Sequence, residues 1–268
     1  MALSIRYKLF RNFGITALLA VCSFSLGGCA KGVTEAVMWK YAPDSYQSGK
    51  QPLVDKRVRI PPFTDGRPEK KENFAALHLI PLMPFGWFEY SRVEDIGDLK
   101  IPVFFILPPT GTFGEFPLAK RTGQFSPTID FAKAAANELS ARGLFLEARF
   151  TESPTANEGD LLLQGHITST RYWGKITSYG ITVLGSWLWI AGFPQGAVHN
   201  ELAIEFHLKE EGTGAVLWEK SYSQTYDKVP LWMYAPWDIY YAELFKAIMQ
   251  DVVKELQSTF LQHQVTGR

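Results

Sequence analysis

The feature that most limits the possible folds is an abrupt change of hydrophobic period between residues 126 and 150. Ser126 and Pro127 form a typical helix start, and apolar residues follow at helical spacing until Gly143, which suits a helix end. Residues 144–150 then alternate with a period of two, which is typical of a strand. A helix that leads directly into a strand indicates a layer of helix packed on a layer of sheet. The chain is therefore predicted to have an α/β (α+β) fold.

Further segments of the sequence have the patterns of strands, a hairpin and a second helix. Strand-like composition or alternation occurs at residues 58–60, 101–107, 160–168, 201–209 and 215–222. The last two segments flank Gly212-Thr213-Gly214, which predicts a hairpin. The side chains expected to point inward from the first hairpin strand are Leu202, Ile204, Phe206 and Leu208. An apolar stripe from residue 237 to residue 256 predicts a long closing helix. Together these elements predict a small mixed or antiparallel sheet with two main helices packed on it.

The amino terminus has the pattern of a signal peptide. Arg6, Lys8 and Arg11 precede an uncharged and largely apolar run over residues 13–26. A helix needs roughly 20 apolar residues to cross the hydrocarbon core of a bilayer, so this run is too short for a permanent transmembrane anchor. The pattern therefore predicts a segment that is removed on export.

This run ends at Leu26-Gly27-Gly28-Cys29, which resembles the lipobox of bacterial lipoproteins. The resemblance implies cleavage between Gly28 and Cys29 and attachment of palmitate and other acyl chains at Cys29, which would anchor the protein to a membrane. Ala30, where Asp would favour the inner membrane, implies an outer-membrane lipoprotein of the cell envelope that faces the periplasm. The alternative is an ordinary signal peptide followed by a free Cys29.

The predicted organisation has three parts. Residues 1–28 form the lipoprotein signal peptide, and residues 29–55 form the lipidated cysteine and a flexible tether, because prolines, serines and a glycine occur there without sustained periodicity. Residues 56–262 form a periplasmic α/β domain. Apolar insertions at 74–90 and 179–199 interrupt this domain.

Aromatic residues are concentrated in segments without a regular period. Residues 79–88 contain two prolines and a glycine, so they suit neither a helix nor a central strand, while residues 181–194 are uncharged and residues 229–237 lead into the last helix. The candidate surface residues in these segments are Trp87, Phe88, Trp187, Leu188, Trp189, Phe193 and Trp232. One interpretation is that the segments fold over the sheet and complete the core. The other is an exposed patch that contacts a partner or a membrane.

The order strand, helix, strand, strand, hairpin and long helix resembles the TolB amino-terminal domain and the curli secretion lipoprotein. The matching residues are 57–67 and 126–260, whereas residues 68–125 have no counterpart. The resemblance implies a scaffold or accessory factor in envelope assembly, export or transport, with a protein partner or self-association at the apolar loops. Two alternatives remain: an oligomeric, membrane-inserting secretion channel that uses residues 181–198, and a periplasmic lipid- or glycan-binding protein or hydrolase.

The sequence offers little catalytic chemistry. None of the common hydrolase, metalloprotease or phosphate-loop motifs occurs, so neither an enzyme nor a cofactor is predicted. His166, Glu205 and His207 could meet on the polar face of neighbouring strands and ligate zinc, but strand alternation alone accounts for their positions, and no metal site is predicted. Asp65 and Arg67 are interpreted as turn chemistry and a surface ion pair. The 27 basic residues balance 27 acidic ones, which disfavours nucleic acid as a partner.

Overall fold

A computed structural model describes most of the chain from residue 52 onward and short stretches before it. The described residues are 35–37, 41–43, 52–75, 86–92, 100–105, 112–117, 120–122, 125–152, 159–177, 179–180, 188–189, 191–194, 196–229 and 240–266. The first strands are β1 (Glu35–Val37), β2 (Val54–Ile60), β3 (Thr64–Asp65), β4 (Lys71–Ala75), β5 (Gly86–Tyr90), β6 (Lys100–Phe105), β7 (Thr112–Pro117) and β8 (Lys120–Thr122). The remaining elements are helix α1 (Pro127–Arg142), strands β9 (Phe145–Phe150), β10 (Leu161–Ser169), β11 (Tyr172–Ile176), β12 (Gly196–Glu210) and β13 (Val216–Lys228), and helix α2 (Tyr241–Thr266).

Nine of these strands form one mixed sheet in the order β4-β5-β11-β12-β10-β2-β9, with β13 paired to β12 and β3 paired to β10. The long strand β12 joins two halves of this sheet. Its first residues pair with β11 and its later residues pair with β10, while β13 runs along its other edge. Two small sheets, β1-β8 and β6-β7, complete the described strands. The predicted α+β class, with two helices on a mixed sheet, is confirmed.

The core lies between one face of the sheet and the two helices. Leu202, Ile204, Phe206 and Leu208 all point into this core, as their alternation predicts. Helix α2 contributes a buried stripe consisting of Tyr241, Leu244, Phe245, Ile248, Met249, Val252, Val253 and Leu256. Within the described part of the chain, neither helix combines the length and hydropathy needed to cross a bilayer.

Helix α1 begins and ends where the sequence predicts. Gly143 follows its last turn with φ of 62°, a left-handed conformation that glycine adopts without a steric penalty. Ser126 precedes the helix, but its hydroxyl makes no capping hydrogen bond. Instead, the Ser126 N–H donates to the Asp130 carboxylate at 2.7 Å, while the Ser126 carbonyl accepts from the Asp130 N–H at 2.8 Å. A carboxylate in the first turn therefore takes the place of the expected serine cap.

The predicted hairpin is formed by β12 and β13, which pair antiparallel across the turn that contains Gly212, Thr213 and Gly214. Gly214 has φ of 70°. This confirms the expectation that at least one residue of the turn needs a positive φ, which a β-branched side chain would resist.

Residues 86–90 differ from the sequence prediction. They form strand β5, which lies between β4 and β11, although the segment over residues 79–88 was expected to contain no internal strand. The prolines that disfavour a strand all precede Gly86, and the residues after it alternate: Trp87 is exposed and Tyr90 is buried. Pairing with two neighbouring strands therefore decides the conformation of this stretch.

Part of the predicted tether packs on the domain. Strand β1 pairs in parallel with β8. The Tyr41 hydroxyl donates a hydrogen bond of 3.0 Å to the Glu138 carboxylate, and its ring lies edge-on to Phe245 at 5.8 Å. Residues 1–28, the predicted signal peptide, lie outside the described residues.

The interpretation of Asp65 and Arg67 as a surface ion pair is wrong, because the Arg67 side chain is only 1% exposed. Its guanidinium binds the Asp65 carboxylate with two hydrogen bonds of 2.9 Å and donates a third, of 2.7 Å, to the Thr170 hydroxyl. The ion pair itself is local, because its residues are two apart in the chain. The hydrogen bond from Arg67 to Thr170 joins this segment to the residue that follows β10, which is distant in sequence.

Candidate functional site

Four strand ends meet at one end of the large sheet. Ile176, at the end of β11, is level with Gly86 at the start of β5 and with Gly196 at the start of β12. On the far side of β12, Val198 is level with Lys228 at the end of β13. The large apolar side chains described at these strand ends, and in the loop between β11 and β12, are Trp87, Tyr179, Leu188, Trp189, Phe193 and Val229. We call this group the apolar rim.

The turn after β11 positions the first aromatic residue of the loop. Tyr179 has φ of 57° and Gly180 has φ of 75°, so the chain reverses through two consecutive left-handed residues. This conformation is unusual for tyrosine. Two contacts hold it: the Tyr179 hydroxyl donates to the Pro194 carbonyl at 2.6 Å, and the ring lies edge-on to Phe193 at 5.9 Å. Partial burial raises the pKa of the Tyr179 phenol, which therefore stays a hydrogen-bond donor at neutral pH.

Trp189 attaches the loop to the domain. Its ring is half-buried and packs against the hydrophobic core, and its indole N–H donates to the Thr177 carbonyl at 3.0 Å. The chain turns at Gly192, where φ is 92°, and the Phe193 N–H donates to the Leu188 carbonyl at 2.9 Å. Trp189 therefore faces the core, whereas Phe193 remains on the outside and is 48% exposed.

The structure shows which of the described candidate surface residues are buried and which are exposed. Trp87 is 40% exposed, and with Phe193 it lies at the end of the sheet, whereas Leu188 and Trp189 are half-buried. Burial against the core therefore holds for Trp189, whereas Trp87 and Phe193 are exposed. The side chain of Phe88 and all of Trp187, Trp232, Gly28 and Cys29 lie outside the described residues.

Sequence reasoning missed two members of the apolar rim. Tyr179 and Val229 are 39% and 55% exposed; they begin the predicted apolar segments 179–199 and 229–237 but are not among the candidate surface residues. For Tyr179 the available signal was the dipeptide with Gly180 directly after a strand, since such pairs favour tight turns that display side chains. Val229 offers no such signal, because it simply continues β13.

The face of the sheet opposite the helices carries a charged cluster next to the apolar rim. Glu89 on β5 accepts hydrogen bonds from Arg171 at 2.7 Å and from Lys70 at 3.0 Å. Burial of Glu89 would raise its pKa, but these two hydrogen bonds outweigh burial and lower the pKa of the carboxyl. Glu89 therefore stays ionised and bridges the two cations, Arg171 and Lys70.

An aromatic stack continues this cluster across the sheet. The rings of Trp173 and His199 lie parallel with centroids 3.8 Å apart, and the Arg171 guanidinium lies 5.3 Å from the Trp173 ring. Nδ1 of His199 is 2.5 Å from the Asp227 carboxylate. The charged side chains of this face thus contact one another and the aromatic stack.

The three residues considered for zinc are only partly brought together. His166 lies opposite Glu205 in the sheet, as predicted, but Nδ1 of His166 is 2.8 Å from the Thr64 hydroxyl. His207 lies between Glu205, at 3.6 Å, and Glu219, at 3.5 Å. Over the residues that the structure describes, no three His, Cys, Asp or Glu side chains converge as metal ligands.

Comparisons with known proteins give structural alignments with low TM-scores and low sequence identity. No family model matches the chain, and no curated protein matches its sequence. The crystal structure of the protein XCC0632 from Xanthomonas campestris aligns with a TM-score of 0.42 and 10% identity, over 85% of this chain and 98% of that chain. PelC from Paraburkholderia phytofirmans, solved as a dodecamer, aligns with a TM-score of 0.34 and 13% identity, over 79% of this chain and 95% of that chain. The resemblance to the TolB amino-terminal domain stays a prediction.

Proposed function

We propose that this chain is a lipoprotein of the cell envelope, anchored through Cys29 to the outer membrane and facing the periplasm, which serves as a scaffold or accessory factor in envelope assembly, export or transport. The observation that carries the proposal is the apolar rim, where Trp87, Tyr179 and Phe193 are exposed together at one end of the sheet. Exposed aromatic side chains that cluster on a folded domain typically mark an interface.

The construction of the apolar rim supports a binding role. Tyr179 is held in a left-handed conformation, and Phe193 is kept outside by a loop whose Trp189 is fixed to the core. A preorganised apolar side chain loses little conformational entropy when it is covered by a partner. Complete burial of such a side chain contributes roughly 1.5–3 kcal/mol, so several together supply a useful binding energy.

The lipobox supports the proposed anchoring at the outer membrane. Acyl chains contribute about 0.8 kcal/mol for each buried methylene, so an anchor of several chains at Cys29 would be effectively permanent. The proposal assigns no catalytic step to the chain, because the charged and aromatic residues described near the apolar rim are paired with one another.

Replacing Cys29 with Ser should abolish incorporation of labelled palmitate and leave the precursor unprocessed. The reason is that lipid attachment requires the thiol of the lipobox cysteine. Metabolic labelling followed by membrane fractionation measures both effects. The matched control is Cys22→Ser, which alters the other cysteine of the chain within the removed segment and should label normally. Undiminished labelling of the Cys29→Ser protein would refute the proposed anchor.

The double variant Trp87→Ser, Phe193→Ser should retain its melting temperature and lose partner capture. Both residues are partly exposed, Trp87 to 40% and Phe193 to 48%, so their removal should cost the fold less than a core substitution while it takes away apolar area from the rim. Chemical crosslinking in envelopes, followed by identification of the crosslinked proteins, measures the loss. Leu146→Ser, Leu261→Ser is the control, since these residues are equally exposed on β9 and α2. If both double variants capture the same partners as the unaltered chain, the apolar rim is not the binding surface.

A further inference from the structure

Strand β13 forms a long exposed edge of the large sheet. It has 13 residues, most of them exposed, and pairs with β12 on one side, while no strand in the described part of the chain pairs with its other side. The other strands that end the order of this sheet are shorter, with five residues in β4 and six in β9. In an antiparallel pair, alternate residues direct their N–H and C=O groups away from the partner strand, so β13 offers a row of backbone groups for a further strand.

Natural proteins commonly protect such edges with prolines or with charged side chains. Strand β13 contains no proline, and each of its charged side chains is paired within its own protomer. Glu219 contacts His207 at 3.5 Å, Lys220 contacts Glu255 at 2.5 Å, Asp227 contacts His199 at 2.5 Å, and Lys228 hydrogen-bonds the Tyr240 hydroxyl. Between these charges, residues 221–226 are uncharged and rich in β-forming Tyr and Thr. The charged side chains therefore lie towards the two ends of β13, and the central residues 221–226 lack this protection.

We propose that β13 pairs antiparallel with β13 of a second copy of this chain, about a two-fold axis through Tyr222, so that the two sheets become continuous. A two-fold axis perpendicular to the sheet keeps equivalent side chains on the same face, and residues at equal distances from the axis lie opposite each other. The axis at Tyr222 lies at the centre of the 13-residue strand, whose alternation is regular from Trp218 to Tyr226 and is interrupted by a bulge at Leu217.

This register also has favourable cross-strand neighbours. Trp218 lies opposite Tyr226 of the second copy, and because of the symmetry this aromatic pair occurs twice. Ser221 lies opposite Ser223, and no two like charges face each other. Two registers are adjacent to this one. The register centred on Ser223 would place Glu219 opposite Asp227 twice, and like charges directly opposite are destabilising. The register centred on Ser221 brings no like charges together but overlaps fewer residues of the two strands. Overlap and charge compatibility together therefore favour the axis at Tyr222.

The inference goes beyond the proposed function, because it depends neither on the anchor at Cys29 nor on the apolar rim. If the chain self-associates at the apolar loops, substitutions at Trp87 and Phe193 should disrupt the assembly. If it self-associates at β13, substitutions on β13 should disrupt it instead. The double variant Trp87→Ser, Phe193→Ser should therefore dimerise normally if β13 is the interface.

The test is sedimentation of the full-length chain in detergent, with paired charge substitutions at two exposed serines. Ser221→Lys, Ser223→Lys brings four lysines together at the axis and should weaken dimerisation by at least about tenfold. Ser221→Glu, Ser223→Glu should do the same, whereas an equimolar mixture of the two variants should recover the dimer. Ser221→Thr, Ser223→Thr is the matched control and should dimerise like the unaltered chain.

Circular dichroism should show that all three serine variants remain folded, because both serine side chains are exposed. Either of two results would overturn the inference: a monomeric unaltered chain at every concentration up to its solubility limit, or lysine variants that dimerise as well as the unaltered chain. Failure of the mixture to recover the dimer would overturn the antiparallel register.

Discussion

Replacing Phe131 with Ala is expected to lower the free energy of unfolding by about 3–5 kcal/mol. Phe131 is fully buried in α1, stacked on Phe245 of α2 with ring centroids 4.8 Å apart and edge-on to Phe125 at 5.6 Å. An alanine would leave a cavity between the two helices and the sheet, where backbone elements cannot move together to fill it. Because domains of this kind are stable by only about 5–15 kcal/mol, such a loss would unfold a large fraction of the molecules near physiological temperature.

Urea unfolding monitored by circular dichroism measures this effect. The control is Ile129→Ala on the same helix, because Ile129 is 36% exposed and its truncation should cost less than about 1 kcal/mol. Phe245→Ala should resemble Phe131→Ala, and the double variant should cost less than the sum, since the stacked pair is lost only once. A loss at Phe131 no larger than that at Ile129 would show that the two helices do not meet at this residue.

Replacing Asp65 with Ala is expected to cost about 3 kcal/mol. The substitution leaves the buried Arg67 guanidinium without its counter-charge, and uncompensated buried charges typically cost about 3–5 kcal/mol. The lower end applies because Asp65 itself is partly open to solvent and Arg67 keeps its hydrogen bond to Thr170. Asp65→Asn should be intermediate, since the amide retains one oxygen acceptor but not the charge.

The pH dependence of this difference provides a second measurement. Hydrogen bonding from the Arg67 side chain, aided by backbone bonding and by the charge of Arg67, lowers the pKa of Asp65 from 3.8 to about 2. A carboxyl with a lowered folded-state pKa stabilises the fold above its unfolded value and loses that contribution as pH falls through the folded one. The stability difference between the unaltered chain and Asp65→Ala should thus be constant above about pH 4 and shrink between pH 4 and pH 2. A difference that stays constant down to pH 2 would contradict the ion pair.

Local periodicity was sufficient to predict several elements of the fold. The change of period near Gly143 marks the end of α1 and the start of the following strand, and the alternation over residues 201–209 identifies the inward side of β12. The glycines at the β12–β13 turn predicted a left-handed residue, which is Gly214. These features follow from interactions within a few residues, which the sequence displays directly.

Elements that depend on distant pairing were predicted less well. Residues 86–90 form a strand because β4 and β11 pair with them, although the prolines just before them argue against a strand. The sequence context of Arg67 predicts a surface position, whereas its buried guanidinium is bound by Thr170, which is 103 residues away. Trp189 and Phe193 have the same kind of neighbours in sequence, but one faces the core and the other faces solvent.

The sequence by itself determined the class of fold, the two helices, the hairpin and the inward side of the central strand, because hydrophobic period and turn chemistry are local properties. Only the tertiary structure decided which strands became edges, which aromatic residues joined the core and which charges were paired. These outcomes depend on contacts between residues far apart in the chain, and burial and pairing at each position depend on the neighbours that the completed sheet supplies. The apolar rim and the exposed edge of β13 both result from these contacts between distant residues.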